Sequence, residues 1–203
     1  MTYQPKADEI KALRESTNAP MMECRKALVE AGGDMERAKV ILHERGAAAA
    51  EKKAERVANE GLVASYIHPG GKIGVLVEVN SETDFVARSP KFAELARDIA
   101  MHIAAMSPEY VDRDAVPSEL VDRLKAELRR SVPAGKSADL AEKIVEGKLN
   151  KWYEEHVLLD QAFVKDDSMS VGELINGVVG VLGEKIRVRR FAKYALGENQ
   201  RTP

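Results

Sequence analysis

The sequence is poor in the residues that most often carry cross-links or chemistry. Cys24 is the single cysteine, so no disulfide can form within the chain and a zinc site built from cysteines is not expected. The 4 histidines are scattered, with no His-x-x-x-His pair and no carboxylate at the spacing of a metal ligand. No local arrangement of residues resembles a nucleophile with its base. We therefore expect no metal site.

An excess of charge of one sign and a long apolar segment are also missing. The 31 basic and 33 acidic side chains leave a net charge of −2, which gives no electrostatic reason to expect a nucleic-acid-binding protein. No apolar run approaches the ~20 residues that span a bilayer. Residues 1–5 lack the features of a secretory signal or a transit peptide. We expect a cytoplasmic protein that contacts neither membranes nor nucleic acid.

What the chain does contain is enough apolar sequence for a helix-rich folded protein, with 203 residues of which 44% are hydrophobic and 32% charged. Three short helices are predicted in residues 1–46. Asn18–Pro20 separates the first two, with Pro20 as the first helical residue; Gly32–Gly33 ends the second, and Gly46 ends the third. Such a bundle buries only a small core, and its pattern resembles ubiquitin-associated (UBA) domains.

Three residues of the second helix carry specific expectations. Met21 and Met22 are adjacent and point about 100° apart, so one should be buried and the other exposed. Cys24 lies on the apolar face and should be a buried, inert thiol. After the bundle, the Ala-rich residues 47–60 predict a lightly packed helical linker that lets the bundle move relative to the rest of the chain.

A β-hairpin follows, with strands at Leu62–His68 and Lys72–Asn80 and a turn at Pro69–Gly71. Two helix start signals come next: Ser81 with Asp84 as a capping pair, and Ser89 followed by Pro90. Phe85 lies on the short turn between them. It is either a core anchor of the turn or an exposed ring that enters a partner.

The remainder is mainly helical. An apolar stripe from Phe92 to Met106 predicts a core helix, with His102 beside the stripe as a polar residue that makes a hydrogen bond. Residues 118–156 predict a helical hairpin, started by Ser118 and broken at Pro133–Gly135. An extended piece at 157–164, a helix capped by Ser170 and Glu173 and ended by Gly183, and a last strand at 185–194 complete the chain.

Four segments resemble elongation factor Ts: Met21–Leu28 (MMECRKAL), Gly74–Arg88 (ending in TDFVAR), Met101–Ala105 (MHIAA) and Ala141–Lys148. The resemblance implies an α+β fold: a three-helix UBA-like domain at 1–46, a helical linker at 47–60, and an α+β core at 61–203. The core would hold an antiparallel sheet and a helical projection at about 118–156. Family members with a single core work as homodimers.

The resemblance also implies a function. The family acts as a guanine nucleotide exchange factor for elongation factor Tu, promoting GDP release by inserting an Asp-Phe pair near the partner's Mg²⁺ and phosphate site. It uses no cofactor and is not an enzyme. The exchange contacts carried over to this chain are Thr83, Asp84, Phe85, Val86, Ile73, Gly74 and His102, and the N-terminal docking residues are Arg14, Met21 and Met22.

Two other classes stay open on the residues alone. One is a UBA-like adaptor without exchange activity, which would bind helical or ubiquitin-like partners through residues 1–46 and dimerise through the core. The other is a small nucleic-acid-binding protein that uses Arg187, Arg189 and Arg190 of the last strand. For these three arginines, a solvated strand face paired with nearby acids is the simpler interpretation.

Overall fold

The computed structural model of the chain describes residues 3–17, 19–133 and 136–198; Asn18, Ala134 and Gly135, to which breaks between helices were assigned, lie outside them. The helices are α1 (Ala7–Thr17), α2 (Met21–Glu30), α3 (Met35–Glu51), α4 (Asp84–Ala87), α5 (Pro90–Met106), α6 (Ser118–Arg130), α7 (Ala138–His156) and α8 (Val171–Leu182). The strands are β1 (Glu60–Ile67), β2 (Ile73–Ser81), β3 (Ala162–Phe163), β4 (Asp166–Ser170) and β5 (Arg187–Ala195). No described helix combines the length and apolar character needed to cross a bilayer.

The first three helices pack around a small core of their own, as expected. Leu13, Cys24, Leu28 and Ile41 are among its buried residues. Cys24 is fully buried, and burial raises the pKa of its thiol above the ordinary value, which keeps the thiol protonated and unreactive. Pro20 caps α2 instead of forming its first helical residue.

The predicted end of the third helix at Gly46 is wrong. α3 continues through Gly46 to Glu51, because this glycine lies against α8. A Cβ atom at Gly46 would be 3.2 Å from the carbonyl oxygen of Asn176, so its missing side chain permits close helix packing. Residues 47–60 are accordingly no helical linker: five of them extend α3, Ala58 is buried, and β1 begins at Glu60.

The central sheet is antiparallel, with the strand order β1-β2-β5. The predicted hairpin is confirmed, and Gly70 and Gly71 adopt positive φ in the turn between its strands. The predicted last strand is also present and begins at Arg187. Val75, Val77 and Val79 of β2 are buried together with the apolar face of α5. The combination of helices with antiparallel sheets confirms the α+β class.

Two helices complete the main core. α5 begins at Pro90 with Ser89 as its cap, as predicted, and buries the stripe except for its last residue, Met106, which is exposed. α8 begins with the predicted capping box of Ser170 and Glu173 and ends at Gly183, which is left-handed. Three residues connect Gly183 to β5, whose first residue, Arg187, pairs with Asn80 near the end of β2.

The predicted helical hairpin is formed by α6 and α7, which pack around their own small cluster. The start signal at Ser118 is shifted, because Pro117 occupies the cap position and Ser118 is already helical. Ser137 caps α7 through the backbone N–H of Leu140. The extended piece expected at 157–164 is instead a 3-10 turn followed by β3.

Candidate functional site: the Phe85 turn

Phe85 lies on an exposed corner between β2 and α5, and 82% of the residue is accessible to solvent. This exposure excludes the core-anchor interpretation. The corner is the four-residue helix α4, whose cap is Thr83: its hydroxyl accepts a hydrogen bond from the backbone N–H of Val86 at 3.3 Å. The predicted capping by Ser81 is wrong, because Ser81 is buried and donates its hydroxyl to the Thr83 carbonyl.

The ring points outward because its neighbours occupy the inward positions. Val86 and Ala87 are buried in the main core directly beneath the corner. Ser89 then accepts a hydrogen bond from the N–H of Phe92 and starts α5 at once. A large apolar ring is thus presented on a short, anchored segment. Val86, which the family resemblance placed among the exchange contacts, supports the corner from below and is not accessible to a partner.

Asp84 lies beside the ring at the first position of α4, with its carboxylate on the surface. It forms an ion pair with Arg88, at 2.7 Å between Oδ2 and Nη2, and both side chains are exposed. A pair of this kind contributes little to stability and is readily exchanged for another partner. The corner therefore offers an accessible carboxylate next to an accessible aromatic ring.

Two glutamates from distant parts of the sequence connect the start of this corner to the end of α8. The carboxylate of Glu184 accepts hydrogen bonds from the N–H of Thr83 at 3.0 Å and from its hydroxyl at 2.7 Å. The carboxylate of Glu82 accepts one from the N–H of Lys185 at 2.6 Å, which lowers the pKa of the Glu82 carboxyl. Sequence reasoning missed both, because 101 residues separate Thr83 from Glu184.

Ile73 and Gly74 do not join this corner. They form the opposite end of β2, roughly 26 Å away along an extended strand. A Cβ atom at Gly74 would meet the Ile67 side chain at 3.0 Å, so this glycine makes room for a side chain and not for another backbone. Any contact made by Ile73 and Gly74 belongs to a separate part of the surface.

His102 is fully buried and cannot contact a partner in this fold, contrary to its place among the exchange residues. Its Nδ1 accepts a hydrogen bond from the N–H of Val164 at 3.2 Å, so Nε2 carries the proton and donates to Oε1 of Gln161 at 3.0 Å. Burial lowers the pKa of His102, which favours the neutral ring. The alternative of a hydrogen-bonded structural histidine is the one observed.

The three residues predicted to dock the partner, Arg14, Met21 and Met22, are each accessible to solvent. Met21 and Met22 are 52% and 59% exposed, so the prediction that one would be buried is wrong. Cys24, Ala27 and Leu28 fill the inner face of α2, which leaves neither methionine a place in the core. Arg14 of α1 is exposed as well.

Two of the three arginines of the last strand, Arg189 and Arg190, pair with one acid. Arg190 and Arg189 reach the Glu78 carboxylate at 2.8 Å and 3.7 Å, as the strand-face interpretation predicts. This pairing weakens the case for a nucleic-acid surface. Within residues 3–17, 19–133 and 136–198, the His, Cys, Asp and Glu side chains form no cluster of three or more that could hold a metal ion.

Comparison with known proteins identifies the family. The family model described as Elongation factor TS matches residues 50–198. The chain is 55% identical over 193 residues to the Elongation factor Ts of Koribacter versatilis (strain Ellin345), covering 95% of this chain and 88% of that protein. It is 51% identical to the Elongation factor Ts of Coprothermobacter proteolyticus, with coverage of 95% and 98%. The chain with the exposed Asp84-Phe85 corner therefore belongs to the elongation factor Ts family.

Proposed function

We propose that this chain is a cytoplasmic guanine nucleotide exchange factor that releases GDP from elongation factor Tu during translation elongation. The observation that carries the proposal is the accessible Phe85 ring beside the Asp84 carboxylate, held on an anchored corner in a member of this family. Exchange requires no covalent step, so the chain needs to supply only a surface that binds the nucleotide-free partner better than the GDP-bound partner.

The corner performs this task by displacement. A GTPase holds GDP through backbone amides around the phosphates and through Mg²⁺. Phe85 enters an apolar gap between partner helices, and Asp84 comes with it to the edge of the phosphate and Mg²⁺ site. The loops that cradle these groups then lose their binding geometry. Thr83 holds the corner at its start, and Val86 supports it from the core.

The free energies involved are of a realistic size. By linkage, the factor weakens GDP binding as much as GDP weakens binding of the factor. A thousandfold effect corresponds to about 4 kcal/mol. Burial of a Phe side chain contributes about 1.5–3 kcal/mol, and docking contacts elsewhere supply the remainder.

Those docking contacts come from the N-terminal helices, which we assign as a UBA-like module. Arg14, Met21 and Met22 lie on its surface and contact the nucleotide-binding domain of the partner away from the corner. Exposed methionines suit this role because their flexible side chains adapt to an apolar surface. Ile73 and Gly74, at the far end of β2, contact another part of the partner.

The functional form is a homodimer that joins the outer faces of two central sheets. On this face the apolar side chains lack cover from any helix of the described chain: Val63, Ile67, Leu76, Tyr194 and Leu196 are all at least half exposed. A second copy of the same face would cover them, since single-core relatives resembled by the sequence work as pairs. Two corners would then be presented by one assembly.

The direct test is release of fluorescent GDP from purified elongation factor Tu after addition of excess unlabelled GDP. We expect catalytic amounts of this chain to accelerate release by orders of magnitude over the intrinsic rate. Release at the intrinsic rate would contradict the proposal. Binding of the partner without acceleration would favour the adaptor class, and a salt-dependent mobility shift of RNA would favour the nucleic-acid-binding class.

A further inference from the structure

We propose that Glu82 and Glu184 form a reciprocal clamp that positions Phe85 for nucleotide exchange, an inference that rests on the proposed function. The clamp joins two pairs of consecutive residues, 82–83 and 184–185. Glu184 binds the backbone N–H of the residue that follows Glu82, and Glu82 binds the backbone N–H of the residue that follows Glu184. Each glutamate thereby fixes the backbone that carries the other.

Thr83 is the point at which the clamp acts on the corner. Its hydroxyl donates to Glu184 at 2.7 Å and at the same time accepts from the N–H of Val86 at 3.3 Å. The Thr83 hydroxyl therefore has a defined partner both as a donor and as an acceptor. Because Thr83 is the cap of α4, its orientation sets the first turn, and the direction of the Phe85 side chain follows.

The clamp is built on rigid elements. Gly183 ends α8 in the left-handed conformation and delivers Glu184 to its place, while Glu82 follows directly on β2. Glu82 also accepts a hydrogen bond from Arg56 at 3.3 Å, and the Lys185 ammonium donates to the carbonyl of Ala54. The segment that follows α3 is thus tied into the same cluster of contacts.

A four-residue helix needs such anchors, because so short a segment does not keep its conformation alone. The core holds α4 from below through Val86 and Ala87. At its cap, the Ser81 hydroxyl holds the Thr83 carbonyl, and the Glu184 carboxylate holds the Thr83 N–H and hydroxyl. Hydrogen bonds to a carboxylate are among the stronger ones in proteins. We therefore expect the corner to present Phe85 correctly in a smaller fraction of the molecules when these hydrogen bonds are removed.

This role predicts a specific kinetic signature. If only about a tenth of the molecules present the ring correctly, the apparent affinity for the partner falls about tenfold, while the bound complex is unchanged. We expect Glu184→Ala to raise KM for elongation factor Tu about tenfold with kcat within about twofold of the parent. Phe85→Ala, which removes the displacing group itself, lowers kcat.

The experiment measures kcat and KM of GDP release together with the thermal midpoint for the variants Glu184→Ala, Glu82→Ala and Glu184→Gln. Glutamine keeps one carbonyl acceptor for the Thr83 N–H and should restore part of the loss. The matched control is Glu142→Ala, which removes an exposed carboxylate bound to Arg129 in the helical hairpin and should leave KM unchanged. Should Glu184→Ala fail to fold, Glu184→Gln and Glu82→Ala carry the test.

A double mutant separates the clamp from general destabilisation. Thr83→Val removes the hydroxyl that Glu184 binds, so combining it with Glu184→Ala should cost less than the two single effects added together. The clamp would be overturned, with the proposed function left standing, if Glu184→Ala and Glu82→Ala had the same KM as Glu142→Ala while Phe85→Ala still slowed GDP release. A parent chain without any effect on GDP release would overturn both.

Discussion

Gly46 of α3 lies directly against Asn176 of α8, so that a Cβ atom on this glycine would be 3.2 Å from the Asn176 carbonyl oxygen. On the other side of the contact, a Cβ atom at Gly180 would be 3.4 Å from the Gly46 Cα. His43 and Glu173 bridge the same two helices at 3.2 Å. The N-terminal helices are thereby joined to the main core through a close helix crossing.

Two glycines in helices should respond differently to substitution by alanine. Gly147 of α7 has no atom within 4 Å of its would-be Cβ, so Gly147→Ala should raise the free energy of unfolding by about 0.5–1 kcal/mol. Gly46→Ala should show no such gain. Gly46→Leu should lower the free energy of unfolding by about 1–3 kcal/mol, because α3 and α8 must separate to admit the side chain. Urea unfolding measures all three. An equal gain at both sites would contradict the close crossing.

Phe85→Ala should separate exchange from stability. Because the ring is exposed, the free energy of unfolding should change by less than about 0.5 kcal/mol. GDP release should slow by at least about 30-fold, which is the effect of losing a binding hot spot of ~2 kcal/mol. Leu140→Ala, an exposed leucine in the helical hairpin, is the control and should affect neither quantity. A loss of several kcal/mol of stability in Phe85→Ala would show that the ring belongs to the core.

The homodimer can be tested with a charge at the centre of the sheet's outer face. Leu76 is 50% exposed in the single chain, so Leu76→Glu should keep the fold but place an unpaired carboxylate in the proposed interface. Analytical ultracentrifugation should show a dimer for the parent and a monomer for this variant. Val40→Glu, at a valine of similar exposure on α3, should remain dimeric. A dimeric Leu76→Glu would exclude this face.

His102 should make stability depend on pH below its ordinary pKa of 6.5. Burial lowers its pKa in the folded state, so the unfolded chain takes up a proton first as the pH falls. The contribution of the neutral His102 ring to the free energy of unfolding is therefore fully present above pH 6.5. It decreases as the pH falls towards the folded-state pKa, by at most about 1.4 kcal/mol per pH unit. The free energy of unfolding, measured with urea between pH 7.5 and 5.5, should depend less steeply on pH in His102→Gln than in the parent. Equal slopes would contradict the buried neutral ring.

Local signals predicted much of the fold. Ser89 with Pro90, Ser170 with Glu173, and the alternation through β2 each depend on residues close in sequence, and each is confirmed. The failures concern partners that sequence spacing does not reveal. Gly46 carries the signal of a helix end, but its contact with a helix 130 residues later decides its role.

The candidate site likewise contains residues that the sequence located and residues whose role depends on distant partners. The family resemblance located Asp84 and Phe85. The exposure of Phe85 depends on Val86 and Ala87 turning inward. His102 was misplaced because its burial depends on the distant Gln161 and Val164. Glu184 gave no signal at all, since a glutamate after a helix-ending glycine is ordinary until its partner is known.

The continuity of α3 restricts how the sequence can change in length. Its 17 residues span about 25 Å, with α1 and α2 packed on the first part and α8 on the last. One inserted residue between these parts would rotate the leading helices by about 100° and advance them by 1.5 Å. Met21 and Met22 would then face another direction from the Phe85 corner, whereas an insertion in the turn at Pro69–Gly71 would leave that angle unchanged.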